Sequence, residues 1–309
     1  MKQSLPIRDE EPTLGLIRKL RDADVMDEAL MQQALSAKRP GSPRRSDAPN
    51  AEPTWNDLQI ITAQLATKPR FEDVPVDGAL VLGLGKRSRL TLKSPIFVPR
   101  GGLDQAPLVA LLVGEPGIQT LSPVAESDVA GASALCIDLD HVDAHRGLLR
   151  GSAAPVGVRL GSAHAASGLS ALRELRPDFI VLDAGERAIA TLARASRDLA
   201  ELDESARPAL IFGGELLLPH DFVKALALGA DGVVVASSVI AAIDSLATPA
   251  STSSRLLGNF VGNSTTLLAT MARACGHDRL AQFAPSDLTT WLYHVARASG
   301  VDYSGQAAD

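Results

Sequence analysis

The amino-acid sequence predicts an α/β fold: a parallel sheet covered by helices, either closed into a (β/α)8 TIM barrel or left open and doubly wound. Three observations predict it. From Gly78 onward, short runs rich in Val, Ile and Leu recur at 96–99, 118–121, 134–138, 156–160, 179–182, 209–212 and 232–235. They are apolar on both faces, as strands covered on both sides must be. Between them lie stretches with helical apolar spacing, at 103–113, 165–175, 187–202, 219–228 and 238–246, the crossover helices that parallel strands need. The length, 309 residues with 46% hydrophobic, supplies one large core and appendages. Seven strands are legible where a closed barrel needs eight, so closure does not follow from the pattern alone.

Leu14, Ile17, Leu20, Val25, Met26, Leu30, Met31 and Leu35 recur at helical spacing, so residues 1–36 form an N-terminal helical segment. Residues 37–54 are rich in Pro, Ser and charge and too poor in apolar side chains to offset their own ordering entropy, which predicts a disordered linker. The stretch 55–93 leads in as a helix and a hairpin, with runs at 79–84 and 89–92 flanking a Gly-Lys-Arg-Ser turn as the hairpin. The barrel core occupies 94–254. Residues 255–309 form a helical cap, with helices at 265–274 and 286–298.

Net charge of -6 gives no electrostatic footprint for nucleic acid, and the basic residues are scattered. No apolar run is long enough for a bilayer, and Met1 leads into Arg8, Asp9, Glu10 and Glu11 without a secretory apolar region, so a cytoplasmic protein is expected. Two distant cysteines, Cys136 and Cys275, fit a reducing compartment and cannot make a cysteine-ligated cluster by themselves.

The most informative segment is 208–238, PALIFGGELLLPHDFVKALALGADGVVVASS. A buried strand ends in Gly213 and Gly214, a helix starts at Pro219 with Asp221 in its first turn, and a second buried strand ends in Ala236, Ser237 and Ser238. Glycines at a strand end let backbone N–H groups approach an anion, and a helix N-terminus with hydroxyl residues adds donors. Paired tips of late strands form the phosphate cradle of TIM barrels, so a phosphate ester belongs here. Glu215, directly after the glycine pair, opposes this unless it points away, because a carboxylate repels a phosphate.

The same residues, GG at 213–214 followed by DFVKALALGAD at 221–231, resemble the FMN-phosphate signature of several flavin barrels. RFEDV at 70–74, LKSPI at 92–96, and GNF, LL and ARACG between 258 and 276 narrow the resemblance to the FMN-binding glutamate synthase family, of which the chain looks like a divergent member. The resemblance implies a closed FMN-dependent oxidoreductase-like barrel, FMN as cofactor and reductive amination of a 2-oxo acid. FMN would lie on Gly213, Gly214, Ala236, Ser237 and Ser238, with Gly101 and Gly102 standing where the family carries its MSFGALS loop against the ring. Arg159 replaces the family's ring-facing lysine. Asp183 or Glu186, at a strand end, would lie on the substrate side, and by residue type Arg159 could pair with either one. The family's GGTGA loop is absent after Asp183, and its cluster cysteines are replaced by ATPASTSS at 247–254, so no iron–sulfur cluster is expected. Ammonia and electrons would then come from a partner protein; neither nucleic acid nor membrane is expected as a partner, and a homo-oligomer is compatible.

Other residue groups offer competing chemistry. Asp138, Asp140, His141, Asp143 and His145 follow a buried strand and have the donor types of a divalent-metal site, though solvated loop charges explain them as well. Asp183 and Glu186 suit either an acid/base pair or the cap and first turn of a helix. Three function classes follow: an FMN oxidoreductase, a degenerate barrel serving as scaffold or regulatory subunit, and a metal-dependent hydrolase.

Overall fold

The computed structural model describes residues 52–305 apart from 64–67, 84–88, 104–105, 115–116, 162–163, 165–171, 173, 204–205 and 247–249. The helices expected within 13–36, most of the linker and most of the 165–175 helix lie outside the described residues.

The sheet closes. Its eight strands are β4 (Ile96–Pro99), β5 (Leu108–Val113), β6 (Gln119–Pro123), β7 (Ala134–Asp138), β8 (Val156–Leu160), β9 (Phe179–Asp183), β10 (Ala209–Gly213) and β11 (Gly232–Val234). They follow one another around the barrel in the order β10-β11-β4-β6-β5-β7-β8-β9. Seven are parallel; β5 runs antiparallel to both its neighbours, β6 and β7. This is the strand missing from the sequence pattern, and it corrects the helix expected over 103–113. Pro107 removes the amide a helix would need, and the six residues after it are Leu-Val-Ala-Leu-Leu-Val, two of them β-branched. Gly114 and Gly117 then close a hairpin, Gly114 donating to the Ile118 carbonyl at 2.9 Å and Gly117 adopting φ +89°.

Alternation along each strand divides the core in two. Facing the axis, Phe97, Val109, Leu111, Leu121, Cys136, Phe179, Val181 and Ile211 pack with Leu80, Leu82 and Leu92. These leucines belong to the expected hairpin, antiparallel strands β2 (Leu80–Leu82) and β3 (Leu90–Leu92). The hairpin plugs the end of the barrel where the parallel strands begin, because Leu80 and Phe97 crowd Gly232 so closely that a Cβ there would sit 2.7 Å from the Phe97 ring. Facing outward, Val158, Ile180, Leu182, Leu210, Phe212 and Val233 lie under the helices. Each fully buried aliphatic or Phe side chain contributes roughly 1.5–3 kcal/mol.

The described helices are α1 (Arg146–Gly151), α2 (Ala188–Ala200), α3 (Pro219–Ala227), α4 (Ser237–Leu246), α5 (Ala250–Ala274) and α6 (Tyr293–Ser299). Helix α3 begins where Pro219 predicts, and the buried Asp221 carboxylate accepts from the Leu218 amide at 3.2 Å. The long α5 packs across α3 and α4.

The C-terminal cap differs from expectation. In place of a helix over 286–298, Pro285–Asp287 makes one 3-10 turn, Leu288–Thr290 becomes strand β12, and only Tyr293–Ser299 is helical. The Asp287 carboxylate accepts from the Ala284 amide and contacts His277, while the Leu-Thr-Thr run suits a strand. Strand β12 pairs antiparallel with β1 (Gln59–Ile60) and parallel with β13 (Asp302–Tyr303), which joins the lead-in segment to the chain's last described residues. No helix among the described residues is long and apolar enough to cross a membrane.

Candidate functional site

At the barrel mouth, where the parallel strands end, β10 and β11 lie side by side with Gly213 in register with Val234. Gly213 is an axis-facing residue at its strand tip. A Cβ there would meet only Val234, at an ordinary 3.6 Å, so packing does not require glycine at this position. Gly214 is different: a Cβ would fall 2.7 Å from the Phe212 ring and 3.1 Å from the Ala188 methyl, so close packing alone requires glycine.

Past the glycines the chain turns through Glu215 at φ +49°, and Glu215 is exposed. The Leu216 carbonyl then accepts the Ala236 amide at 3.0 Å and ties the two tips together. That amide is therefore used within the protein, although the sequence assigns Ala236 to the ligand. Helix α4 starts at the next residue, so the Ser237 and Ser238 amides and hydroxyls stand at a helix N-terminus with no intrahelical acceptor for the amides.

Two supporting residues escaped the sequence reading. The indole of Trp55 donates to the Gly214 carbonyl at 3.0 Å and packs edge-on against Phe212, with ring centroids 5.9 Å apart. The buried Lys224 ammonium donates to the Trp55 carbonyl at 2.6 Å. A residue from before the barrel thus holds the glycine loop. The one available signal was composition: the chain has two tryptophans, and one lies just past a linker.

The rest of the mouth is built around Arg159. The sequence reading pairs it with Asp183 or Glu186; the structure pairs it with Asp138. Their residues are register neighbours on β8 and β7, both projecting inward, and Arg159 Nε and Nη2 reach one carboxylate oxygen at 3.0 and 2.7 Å. Its remaining donors bond the carbonyl oxygens of Leu103 and Ala106, the latter at 3.0 Å, so the segment before β5 closes over it and leaves it 7% exposed. Cys136, two residues before Asp138, is pushed up to about 12 by burial; Arg159 opposes that shift and Asp138 adds to it.

Asp183 ends β9 in register with Gly213 and is exposed, so it borders the cradle. Glu186 lies in the 3-10 turn Gly185–Arg187, and its side chain is outside the described residues. Gly101 and Gly102 follow the tip of β4, the strand next to β11. Gly101 has φ +70° and rests against Pro123, while Gly102 faces open space. Arg100, beside them, is turned toward α4 and salt-bridged to Asp244 at 3.1 Å.

The acidic and imidazole cluster separates into pairs: His141 lies 4.0 Å from Asp138, His164 3.5 Å from Asp140 and His145 3.8 Å from Glu126. Among the described residues no three such side chains converge as a metal site would need.

Residues 112–248, somewhat under half of the chain, match the family model described as the conserved region in glutamate synthase. No curated protein matches the sequence. Solved structures of similar shape include a flavocytochrome b2 double mutant with pyruvate bound, 14% identical, covering 82% of this chain and 80% of that chain with a TM-score of 0.56. A second flavocytochrome b2 mutant is 13% identical, with 82% and 84% covered and a TM-score of 0.55. A mandelate oxidase mutant with the monooxide FMN adduct is 14% identical, with 77% and 89% covered and a TM-score of 0.50. At such identities the likeness speaks for the barrel fold. The family-model match agrees with the resemblance read from GG at 213–214 and DFVKALALGAD at 221–231, and the matched residues, from the end of β5 to the end of α4, include both strand tips of the cradle.

Proposed function

We propose that the chain is an FMN-binding barrel of the oxidoreductase class, holding the cofactor by its phosphate between the tips of β10 and β11. The observation that carries this reading is Gly213, an axis-facing glycine that packing does not demand, beside a helix N-terminus. Bound FMN would supply hydride or single-electron transfer to a substrate. The protein's share is binding: Gly213 leaves room for close backbone approach, and Ser237 and Ser238 offer amides and hydroxyls at the positive end of α4. Asp183, the exposed carboxylate beside the cradle, is the candidate proton carrier. The glutamate synthase match over 112–248 supports reductive amination of a 2-oxo acid as the reaction. Ammonia and electrons would be delivered by a partner protein.

A second reading, a non-catalytic barrel with a scaffold or regulatory role, is favoured by Arg159. The cation that takes the place of the family's ring-facing lysine is occupied by Asp138 and two backbone carbonyls. Titration with FMN, followed by absorbance in the near ultraviolet and blue, tests both. Binding, with reoxidation of the chemically reduced flavin by an added 2-oxo acid and ammonia in the absence of oxygen, supports the first reading. Binding without that reoxidation supports the second, and absence of binding removes the flavin from either.

A further inference from the structure

The peptide between Gly214 and Glu215 is held from outside the barrel. Its carbonyl accepts the Trp55 indole proton at 3.0 Å, and Trp55 packs with Phe212 in the outward-facing core. A peptide unit is planar and trans, so the Glu215 N–H points opposite to that carbonyl, away from the outer layer and toward the side of the barrel axis. That N–H makes no hydrogen bond to a described residue. Two carbonyls beside it are already engaged: Gly213 accepts from the Ala184 amide at 3.1 Å and Leu216 from the Ala236 amide at 3.0 Å. The Glu215 amide is thus a donor on the cradle side of the loop.

Glu215 also has φ +49°, a conformation that a residue with a Cβ disfavours and that its surroundings must enforce. Trp55 supplies part of that restraint and is itself clamped. The buried Lys224 ammonium of α3 donates to the Trp55 carbonyl at 2.6 Å, and two residues on, the Asp57 carbonyl accepts the Thr290 hydroxyl of β12 at 2.6 Å. Trp55 is 6% exposed, so its ring is fixed between the helical layer and the glycine loop. A phenyl ring would serve for packing against Phe212; the indole N–H adds orientation.

We infer that Trp55 is a positioning residue of the phosphate site: by holding the Gly214 carbonyl it aims the Glu215 amide at an oxygen of the bound phosphate. The inference rests on the reading that FMN is held by its phosphate between β10 and β11. Trp55→Phe keeps a ring against Phe212 and removes the indole N–H. FMN and riboflavin, which differ only in the phosphate, are titrated against the full-length parent and the variant by flavin fluorescence. The parent should prefer FMN, and the variant should lose about tenfold in FMN affinity with riboflavin affinity unchanged. Equal weakening of both flavins, or a variant that binds FMN as the parent does, would overturn the positioning role and leave the phosphate reading intact. A parent that binds FMN no better than riboflavin overturns that reading, and the inference with it. A second measurement does not require the variant to fold. In the parent chain with heavy-isotope nitrogen in its glutamates, the Glu215 amide signal, assigned by its loss in Glu215→Gln, should move downfield with FMN and stay in place with riboflavin. The same response of that amide to both flavins would refute its contact with the phosphate.

Discussion

Substituting the two adjacent glycines one at a time separates ligand contact from packing. In Gly213→Ala the new methyl meets Val234 at 3.6 Å, a normal contact, so the fold should keep its stability within about 0.5 kcal/mol. The methyl does enter the space where the phosphate would approach the backbone. Overfilling of that kind costs about 1–3 kcal/mol, equivalent to a loss of FMN affinity of roughly 5- to 150-fold. In Gly214→Ala the methyl instead falls 2.7 and 2.9 Å from carbons of the Phe212 ring and 3.1 Å from Ala188, all within the core. There about 1–3 kcal/mol of overpacking comes off the stability, and at roughly 2–4 °C per kcal/mol the melting temperature should fall by about 2–12 °C. Thermal melts and FMN titrations of the parent and both variants measure the two effects. If Gly213→Ala melts and binds FMN like the parent, the phosphate does not sit on this tip. If Gly214→Ala melts unchanged, the packing account of that glycine is wrong.

Asp138→Asn removes the counter-charge of a nearly buried Arg159 and should cost about 3–5 kcal/mol in urea denaturation, whereas Asp138→Leu with Arg159→Met should recover most of it. Equal loss in single and double variants would mean that the pair is not what the barrel mouth depends on. Burial holds the Cys136 thiol up to about 12 against an ordinary value of 9.0, so the native state keeps a proton that the unfolded chain releases. The stability linked to that thiol is complete below pH 9 and lost as the pH climbs toward 12, and Cys136→Ala should flatten this alkaline decline in chemical denaturation. Gly157→Ala puts a methyl 2.4 Å from the Phe179 ring and should lower the melting temperature, with Phe179→Leu partly restoring it in the double variant; simple additivity of the two would refute the contact.

The buried parallel strands were legible because a strand covered on both faces must be apolar throughout, and six of the seven placed from the pattern agree with the observed ones to within one residue. The seventh, expected at 118–121, is Gln119–Pro123 in the structure and so ends two residues later. The pair of glycine-ended tips was legible too, since glycine placement and a Pro-started helix are local signals. Strand β5 was not, because a six-residue apolar run has no periodicity that separates strand from buried helix. What decided it was the gap that closure leaves between β6 and β7.

Local sequence thus determined which segments are strands and where glycine breaks them, because backbone sterics and the solvent preference of alternating side chains act over a few residues. Tertiary structure alone decided the partners. Arg159 meets Asp138 across 21 positions, and Trp55 reaches Gly214 across 159. Strand register and the direction of a side chain, inward or outward, set such contacts, and neither is written in the spacing of residues along the chain.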